Sequence, residues 1–188
     1  MLFEYTTNRL IFKILTPKYA PDVLAFQLQD KELFERYEAD RYPDFYTLEH
    51  HRKTLEYEFR LALKKLSVRF YVFLKNDPYT IIGTVCLYEI SSTFRRCEIG
   101  YKFASRFHGN GYATEAVLKA IQIAFHELEL HRICAHVQEN NVASIRLLEK
   151  IGFQKEGICR HHLCIKGQWT DHLQFSLTES GKSPISNA

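Results

Sequence analysis

Arg106-Phe107-His108-Gly109-Asn110-Gly111-Tyr112-Ala113 joins two segments of different periodicity, and its reading decides the fold. Upstream, Glu98 to Phe103 alternates. Ile99, Tyr101 and Phe103 fall on one face and Glu98, Gly100 and Lys102 on the other, the period-two pattern of a strand. Downstream, Ala113, Ala116, Val117, Ala120, Ile121, Ala124 and Leu128 recur at helical spacing, while Glu115, Lys119, Gln122 and Glu127 take other positions. A glycine-bearing loop between strand and helix is a seat for anions. The first helical turn carries amide N–H groups without internal partners, the helix dipole adds partial positive charge, and glycines let the backbone reach contact distance with a phosphate. A pyrophosphate fits such a seat, although the loop alone is equally readable as an ordinary turn. Rival phosphate motifs match less well: a dinucleotide fingerprint wants glycine or alanine where Thr114 stands, and a nucleoside-triphosphate loop wants a Gly-Lys-Ser/Thr that does not follow here.

A second junction follows. Asn141-Val142-Ala143-Ser144-Ile145-Arg146-Leu147-Leu148-Glu149-Lys150-Ile151-Gly152-Phe153 comes after the apolar strand Arg132 to Val137 and reads as a short helix capped by Asn141 and stopped by Gly152. With both junctions in place, the chain resembles the GNAT superfamily of acetyl-CoA-dependent N-acetyltransferases. The first segment is similar to its Q/R-x-x-G-x-G/A pyrophosphate loop and the second to its N-x-x-S helix ending in E-K-x-G-F. Thr7-Asn8-Arg9-Leu10, Glu98-Ile99-Gly100-Tyr101, Gly152 to Gly157 and Gly167 to His172 further resemble the branch holding the RimJ and RimL ribosomal-protein N-terminal acetyltransferases. The likeness runs from Thr7 to Glu179, the extent expected for the acetyltransferase domain.

The resemblance implies a single-domain α/β fold, a central mixed and mostly antiparallel sheet flanked by helices. It also implies acetyl-CoA as co-substrate, released as coenzyme A. The pyrophosphate seat falls to Arg106, His108, Gly109, Asn110, Gly111, Tyr112 and Ala113, and the pantetheine arm to the edge of Ile99, Gly100 and Tyr101. By position, the Tyr101 N–H is the one on the thioester carbonyl. Asn141 has two readings, helix cap and pantetheine partner, and one amide can serve both.

Glu98 is the candidate base, acting directly or through a water, with a plain surface glutamate as the alternative reading. The demand on a base depends on the acceptor: an α-amino group of pKa near 8 is about one-tenth neutral at pH 7, against roughly 1 in 2,500 for a lysine near 10.4. Many relatives carry a tyrosine four residues after the N-x-x-S serine, but here that position is Leu148, and the last tyrosine of the chain is Tyr112. Ser144 therefore remains as a catalytic candidate for the leaving thiolate, beside its reading as a cofactor contact, and a thiol of pKa about 8.5 also leaves unaided. Asp44, Phe45, Tyr46, His50, His51, Trp169 and Asp171 are the candidates for lining an acceptor groove. The acceptor implied is an amine, foremost a protein N-terminus such as that of a ribosomal protein. The alternatives are a small amine (polyamine, amino acid or antibiotic) and a non-catalytic acetyl-CoA-binding module.

Composition narrows the classes. The chain has 188 residues, enough for one domain with its own core, and a net charge of +3 without a long basic tract, which does not call for direct nucleic-acid binding. No apolar run approaches the roughly 18 residues that cross a bilayer, and Met1 to Tyr5 lacks the order of a signal peptide, so a cytoplasmic protein is expected. The five cysteines, Cys86, Cys97, Cys134, Cys159 and Cys164, are an odd number spread over predicted strands, as suits reduced thiols. Cys159-Arg160-His161-His162-Leu163-Cys164 invites a zinc reading. In a regular strand, however, Cys159 and His161 face opposite to His162 and Cys164, and no metal site is expected.

The remaining order predicts a strand at Arg9 to Leu15, helices from Pro17 to Leu28 and Thr47 to Lys65, and strands Arg69 to Lys75 and Thr80 to Ile90 about a turn at Asn76-Asp77-Pro78. A hairpin of Arg160 to Ile165 with Thr170 to Thr178 closes the domain, and the tail 180–188 has a disordered composition.

Overall fold

The computed structural model describes residues 1–179, so the expectation for the tail lies outside the described residues. Eight strands form one sheet: β1 (Glu4–Thr6), β2 (Leu10–Lys13), β3 (Val68–Leu74), β4 (Asp77–Ser91), β5 (Arg96–Phe103), β6 (Arg132–Val137), β7 (Gln154–Ile165) and β8 (Gln168–Thr178). Their order is β1-β2-β3-β4-β5-β6-β8-β7. Every neighbouring pair is antiparallel except β5 with β6. The sheet is thus mixed and mostly antiparallel, as expected.

Alternation along the strands divides the core in two. Phe70, Val72, Val85, Leu87, Ile99 and Ile133 face Ala116, Val117 and Ala120 of α4 (Tyr112–Gln122), with Leu148 of α5 (Val142–Ile151) in the same cluster. Tyr71, Phe73 and Ile81 pack on the opposite face against Val23 and Phe26 of α1 (Ala20–Gln29), Phe34 of α2 (Lys31–Glu35) and Leu55 of α3 (Leu48–Leu63). Burying a large apolar side chain stabilises by about 1.5 to 3 kcal/mol, so both faces contribute to holding the sheet between its helices. Thr47 caps α3 by accepting from the His50 N–H at 3.2 Å.

Several boundaries differ from the sequence expectation. The turn between β3 and β4 sits at Lys75 and Asn76, and Asp77 and Pro78 already belong to β4, where Leu74 pairs with Asp77. Proline is tolerated at the first positions of a strand because few ladder bonds need its missing N–H. The predicted helix from Pro17 starts as a 3-10 turn over Pro17–Tyr19 before α1. The long central helix widens into a π-type turn over Ile123–Glu127, with the Leu128 N–H bonding to Ile123 O at 3.0 Å. β1 and α2 span three and five residues, too short for periodicity to register.

One feature of the sheet makes room for a ligand. β5 and β6 pair at Arg96↔Arg132, Cys97↔Ile133 and Glu98↔Cys134, and their ladder ends there. From Ile99 onward the edge of β5 on the β6 side is unpaired and opens on a cleft of about 900 Å³.

Candidate active site

The cleft runs from the α4 N-terminus, past Gly100, Tyr101, Asn141 and Ser144, to a polar floor beneath α1 to α3. At its first end a glycine loop runs into the open N-terminus of α4. Gly111 is the N-cap of α4 at φ 76°, a left-handed conformation that glycine adopts without a side-chain clash. The Glu115 N–H is the first to bond within the helix, to Gly111 O at 3.1 Å, which leaves the Tyr112, Ala113 and Thr114 amides at the open helix end. Gly109, Gly111, Tyr112, Ala113 and His108 line the cleft. Two side chains act inside the loop instead of on its ligand: the Asn110 amide donates to His108 O at 3.0 Å, and His108 Nε2 lies 2.8 Å from Phe103 O. Arg106 is exposed and stacks over the Phe107 ring.

The sequence reading missed the brace behind this loop. Arg9 donates to Asn110 O at 2.9 Å and to Glu115 Oε2 at 2.7 Å, with its guanidinium 4.6 Å from the centre of the Tyr112 ring. Thr7 Oγ1 donates to the other Glu115 oxygen at 2.6 Å. These contacts hold the Glu115 carboxyl below its usual range, against the opposing effect of burial. Arg146 and Lys150 of α5 also line this end of the cleft and add positive charge where phosphates would lie.

Midway along the cleft, Asn141 caps α5 by accepting from the Ser144 N–H at 3.2 Å, which leaves its amide NH₂ free of that cap. The Tyr101 side chain crosses from β5 to α5, its hydroxyl 2.7 Å from Ser144 Oγ. Burial pushes the Tyr101 phenol up to about 12, so it stays protonated throughout the neutral range. A phenol thus reaches α5 from the strand, next to Ser144. Sequence reading used only the Tyr101 backbone, because period two assigns a face but does not say how far a side chain reaches across a gap between strands.

Beyond Tyr101 lies the second face of β5. Glu98 does not itself line the cleft: its carboxylate sits behind the wall formed by Tyr88 and His136, with Oε2 3.2 Å from His136 Nδ1. The bond to His136, ahead of the opposing effect of burial, holds the Glu98 carboxyl below its usual range. Glu98 therefore meets the cleft through His136, which the sequence reading did not select because nothing at the level of spacing ties β6 to Glu98.

The floor is a set of paired charges. Lys102 Nζ lies 2.7 Å from Glu38 Oε1 and 2.9 Å from Gln27 Oε1, and burial pushes its ammonium well down. Arg41 also pairs with Glu38 and stacks on Phe45, while Glu58 accepts from Arg69 at 2.6 Å and from Tyr71 at 3.0 Å. Among the acceptor candidates, Phe45 and His51 line the cleft. His51 is 2% exposed, its Nε2 has no partner, and burial drives its pKa down to about 4, so a neutral imidazole presents one open hydrogen-bonding atom. Tyr46 donates to Glu35 and His50 lies near Asp44, while Trp169 is largely exposed, away from the cleft. Asp171 braces β7 by accepting from the His161 N–H at 2.9 Å. Asp40 accepts from the Gly167 N–H at 2.8 Å, so the segment after α2 clasps the tip of the β7–β8 hairpin.

The comparisons with known proteins agree with this construction. Residues 9–154 match the acetyltransferase (GNAT) domain model. The chain belongs to the GNAT acetyltransferase family. The probable N-acetyltransferase YjcK of Bacillus subtilis is 41% identical over 160 residues, 84% of this chain and 87% of that one. The [ribosomal protein uS5]-alanine N-acetyltransferase of Escherichia coli is 27% identical over 185 residues, covering 95% of this chain and 92% of that one. The crystal structure of the ribosomal-protein-S5-alanine acetyltransferase of Vibrio fischeri superposes with a TM-score of 0.89 at 27% identity, covering 96% of this chain and 99% of that one. This GNAT protein is accordingly an acetyl-CoA-dependent N-acetyltransferase. No helix among its described residues is long and apolar enough to cross a membrane.

One reading of this acetyltransferase's sequence is corrected by its backbone. β7 is not regular: between the pairs Cys159↔His172 and Leu163↔Thr170, the three residues Arg160, His161 and His162 oppose Asp171 alone. His161 sits at φ 48° in this bulge. The backbone turns locally in the bulge and brings His162 to the side of Cys159, so the two are not kept on opposite faces as a regular strand requires, and alternation resumes in phase at Leu163.

Proposed function

We propose that this acetyltransferase acetylates the α-amino group of a protein or peptide. The observation that carries this reading is the state of the acceptor floor, where both carboxylates already have partners: Glu38 with Lys102 and Arg41, Glu58 with Arg69 and Tyr71. A polyamine needs unpaired carboxylates for its further ammonium groups, and the guanidinium groups of Arg41 and Arg69 in the same wall oppose it. A peptide N-terminus brings one amine and a backbone able to use an open hydrogen-bonding atom such as His51 Nε2. Similarity along nearly the whole chain to a uS5-alanine acetyltransferase supports the same class.

In this reading, the loop amides of Gly109 to Ala113 hold the pyrophosphate of acetyl-CoA, the His108 N–H being already donated to Ser105 O at 3.0 Å, and the Ile99 to Tyr101 edge pairs with its pantetheine arm. The Tyr101 N–H polarises the thioester carbonyl. The amine nitrogen attacks the carbonyl carbon, and the C–N bond forms as the C–S bond breaks. The ammonium proton passes to His136, whose ring Glu98 orients and whose imidazolium it stabilises, as general acid–base pairs do. Tyr101 and Ser144 donate hydrogen bonds toward the sulfur as charge collects there. An α-amino group suits a modest base, since about one-tenth is already neutral at pH 7.

The test is release of coenzyme A thiol from acetyl-CoA with peptides carrying a free N-terminal alanine or serine, spermidine, and free amino acids. Peptides are expected to exceed spermidine at least about tenfold in kcat/KM, a difference of about 1.4 kcal/mol in transition-state stabilisation. Faster turnover of spermidine than of any peptide overturns the acceptor assignment while leaving acetyl transfer standing.

A further inference from the structure

The bulge in β7 assembles a group of side chains that acetyl transfer does not explain. His136 of β6 and Cys159 and His162 of β7 each offer one ligand atom, and these atoms all lie within 4.8 Å of one another. β6 and β7 are not neighbours, since β8 runs between them. The residues meet because Gln174 pairs with both His136 and Gly157, which fixes His136 and Cys159 on one face, and the bulge then adds His162. The His136 and His162 rings stack at 4.4 Å between centroids, and the Cys159 thiol donates to Gln174 Oε1 at 3.2 Å. His172 stands 5.1 Å from His162, ring centre to ring centre.

We propose that His136, Cys159 and His162 form a site for one divalent cation of the zinc class. Two imidazoles and a thiolate are a borderline-soft donor set, which suits zinc and disfavours magnesium or calcium. A second observation points the same way. Metal-bound histidines typically donate their other ring N–H to a carboxylate, and here the Glu98 carboxylate lies 3.2 Å from His136 Nδ1, which leaves Nε2 with its lone pair for a cation. Bonds of about 2.0 to 2.3 Å in a tetrahedron place ligand atoms roughly 3.3 to 3.7 Å apart, so closing the site takes about 1 Å of side-chain rotation. On binding, the Cys159 thiol gives its proton to solvent and the thiolate bonds the metal. His172 or a water completes four-coordination. A bound ion staples β7 to β6 across β8 and stiffens the wall of the acceptor cleft. The assignment rests on ligand geometry alone; because the ion occupies the His136 Nε2 lone pair that the acceptor reading uses as base, the metal-loaded form should turn over more slowly than the metal-free one.

The experiment adds Co²⁺ to the metal-free full chain. One equivalent is expected to produce a sulfur-to-cobalt charge-transfer band with the intense visible bands of tetrahedral cobalt, and Zn²⁺ should displace both. Zinc at about one hundred times its Kd should raise Tm by about 5 to 10 °C. Cys159→Ser should remove the charge-transfer band and His162→Gln should weaken binding at least about tenfold, while His161→Gln and Cys164→Ser should retain the full signal. Each variant's metal-free Tm reports whether it folds. No charge-transfer band in the parent chain, its persistence in Cys159→Ser, or its loss in Cys164→Ser overturns the site.

Discussion

Replacing Tyr101 by phenylalanine removes a single oxygen from the centre of the cleft, and the structure sets how much that oxygen is worth. The phenol cannot act by surrendering its proton outright. With its pKa pushed to about 12, full transfer to a coenzyme A thiolate of pKa about 8.5 is uphill by about 3.5 units, or roughly 5 kcal/mol. Its contribution is a hydrogen bond toward the sulfur, given directly or through Ser144 Oγ at 2.7 Å. Hydrogen bonds to charged acceptors are worth about 1.5 to 3 kcal/mol, so Tyr101→Phe should lower kcat about 10- to 150-fold. The loss should appear in kcat with acetyl-CoA KM changed less than about threefold, because the charge it meets exists only in the transition state. It should also be constant from about pH 7 to 9, where a phenol with a raised pKa remains protonated. Ser144→Ala should produce a related loss, and the double variant should lose less than the product of the two, since the hydroxyls act as one unit. Steady-state thiol release with a peptide acceptor measures all of this. A kcat within twofold of the parent, or a loss confined to KM, would show that the Tyr101–Ser144 bond is structural only.

Four further outcomes follow from the same geometry. Gly109 lies at φ 77° with open space where a Cβ would stand, so Gly109→Ala adds backbone strain without a clash; about 1 to 2 kcal/mol of strain should weaken coenzyme A binding roughly 5- to 30-fold by calorimetry. At Gly83 the added Cβ meets Phe103 Cδ1 at 2.4 Å, so Gly83→Ala should cost about 1 to 3 kcal/mol and lower Tm by roughly 2 to 12 °C. Lys150→Glu reverses a charge at the phosphate end and should weaken coenzyme A binding more at low than at high salt, read from the salt dependence of Kd. Tyr5, Tyr46 and Tyr101 all have pKa values raised to about 12, mainly by burial. The unfolded chain therefore ionises first: the stability they contribute is intact below about pH 10 and is lost as pH climbs toward 12. Urea midpoints should hold between about pH 8 and 9.5 and fall by about pH 11, and a midpoint that rises over that range contradicts the burial.

What the sequence made legible is whatever repeats or punctuates. Alternation at Glu98 to Phe103 located β5, helical spacing after Gly111 located α4, and Asn141 and Gly152 marked both ends of α5, because caps and periods are local consequences of backbone hydrogen bonding. β1 and α2 escaped for want of length. The glycine loop proposed to seat the pyrophosphate was readable for the same local reason, yet its brace was not: Arg9 and Asn110 are 101 residues apart in sequence, and only the fold brings them to 2.9 Å.

The chemistry of the cleft depends on departures from the rules that made the fold legible. The β5–β6 ladder ends after Glu98↔Cys134, and that interruption exposes the Ile99 to Tyr101 edge and lets the Tyr101 side chain span to α5. A tyrosine on the strand can then supply the donor absent at Leu148, so the loss of a helix tyrosine does not argue for a protein that only binds acetyl-CoA. The bulge at His161 is the same kind of event: three residues opposite one free His162 from the facing that strict alternation assigns it, and the metal reading set aside in the sequence returns as a proposal through it. The two interruptions meet at His136. It lies beyond the last β5–β6 pair, is oriented by Glu98 from one side, and stacks on His162 from the other. Replacing it therefore tests the two proposals together. His136→Gln is expected to slow acetyl transfer by about 10²-fold, as removal of a proton acceptor does, and to abolish the tetrahedral cobalt spectrum. A variant that lost turnover but kept that spectrum would place His136 in the acceptor chemistry alone.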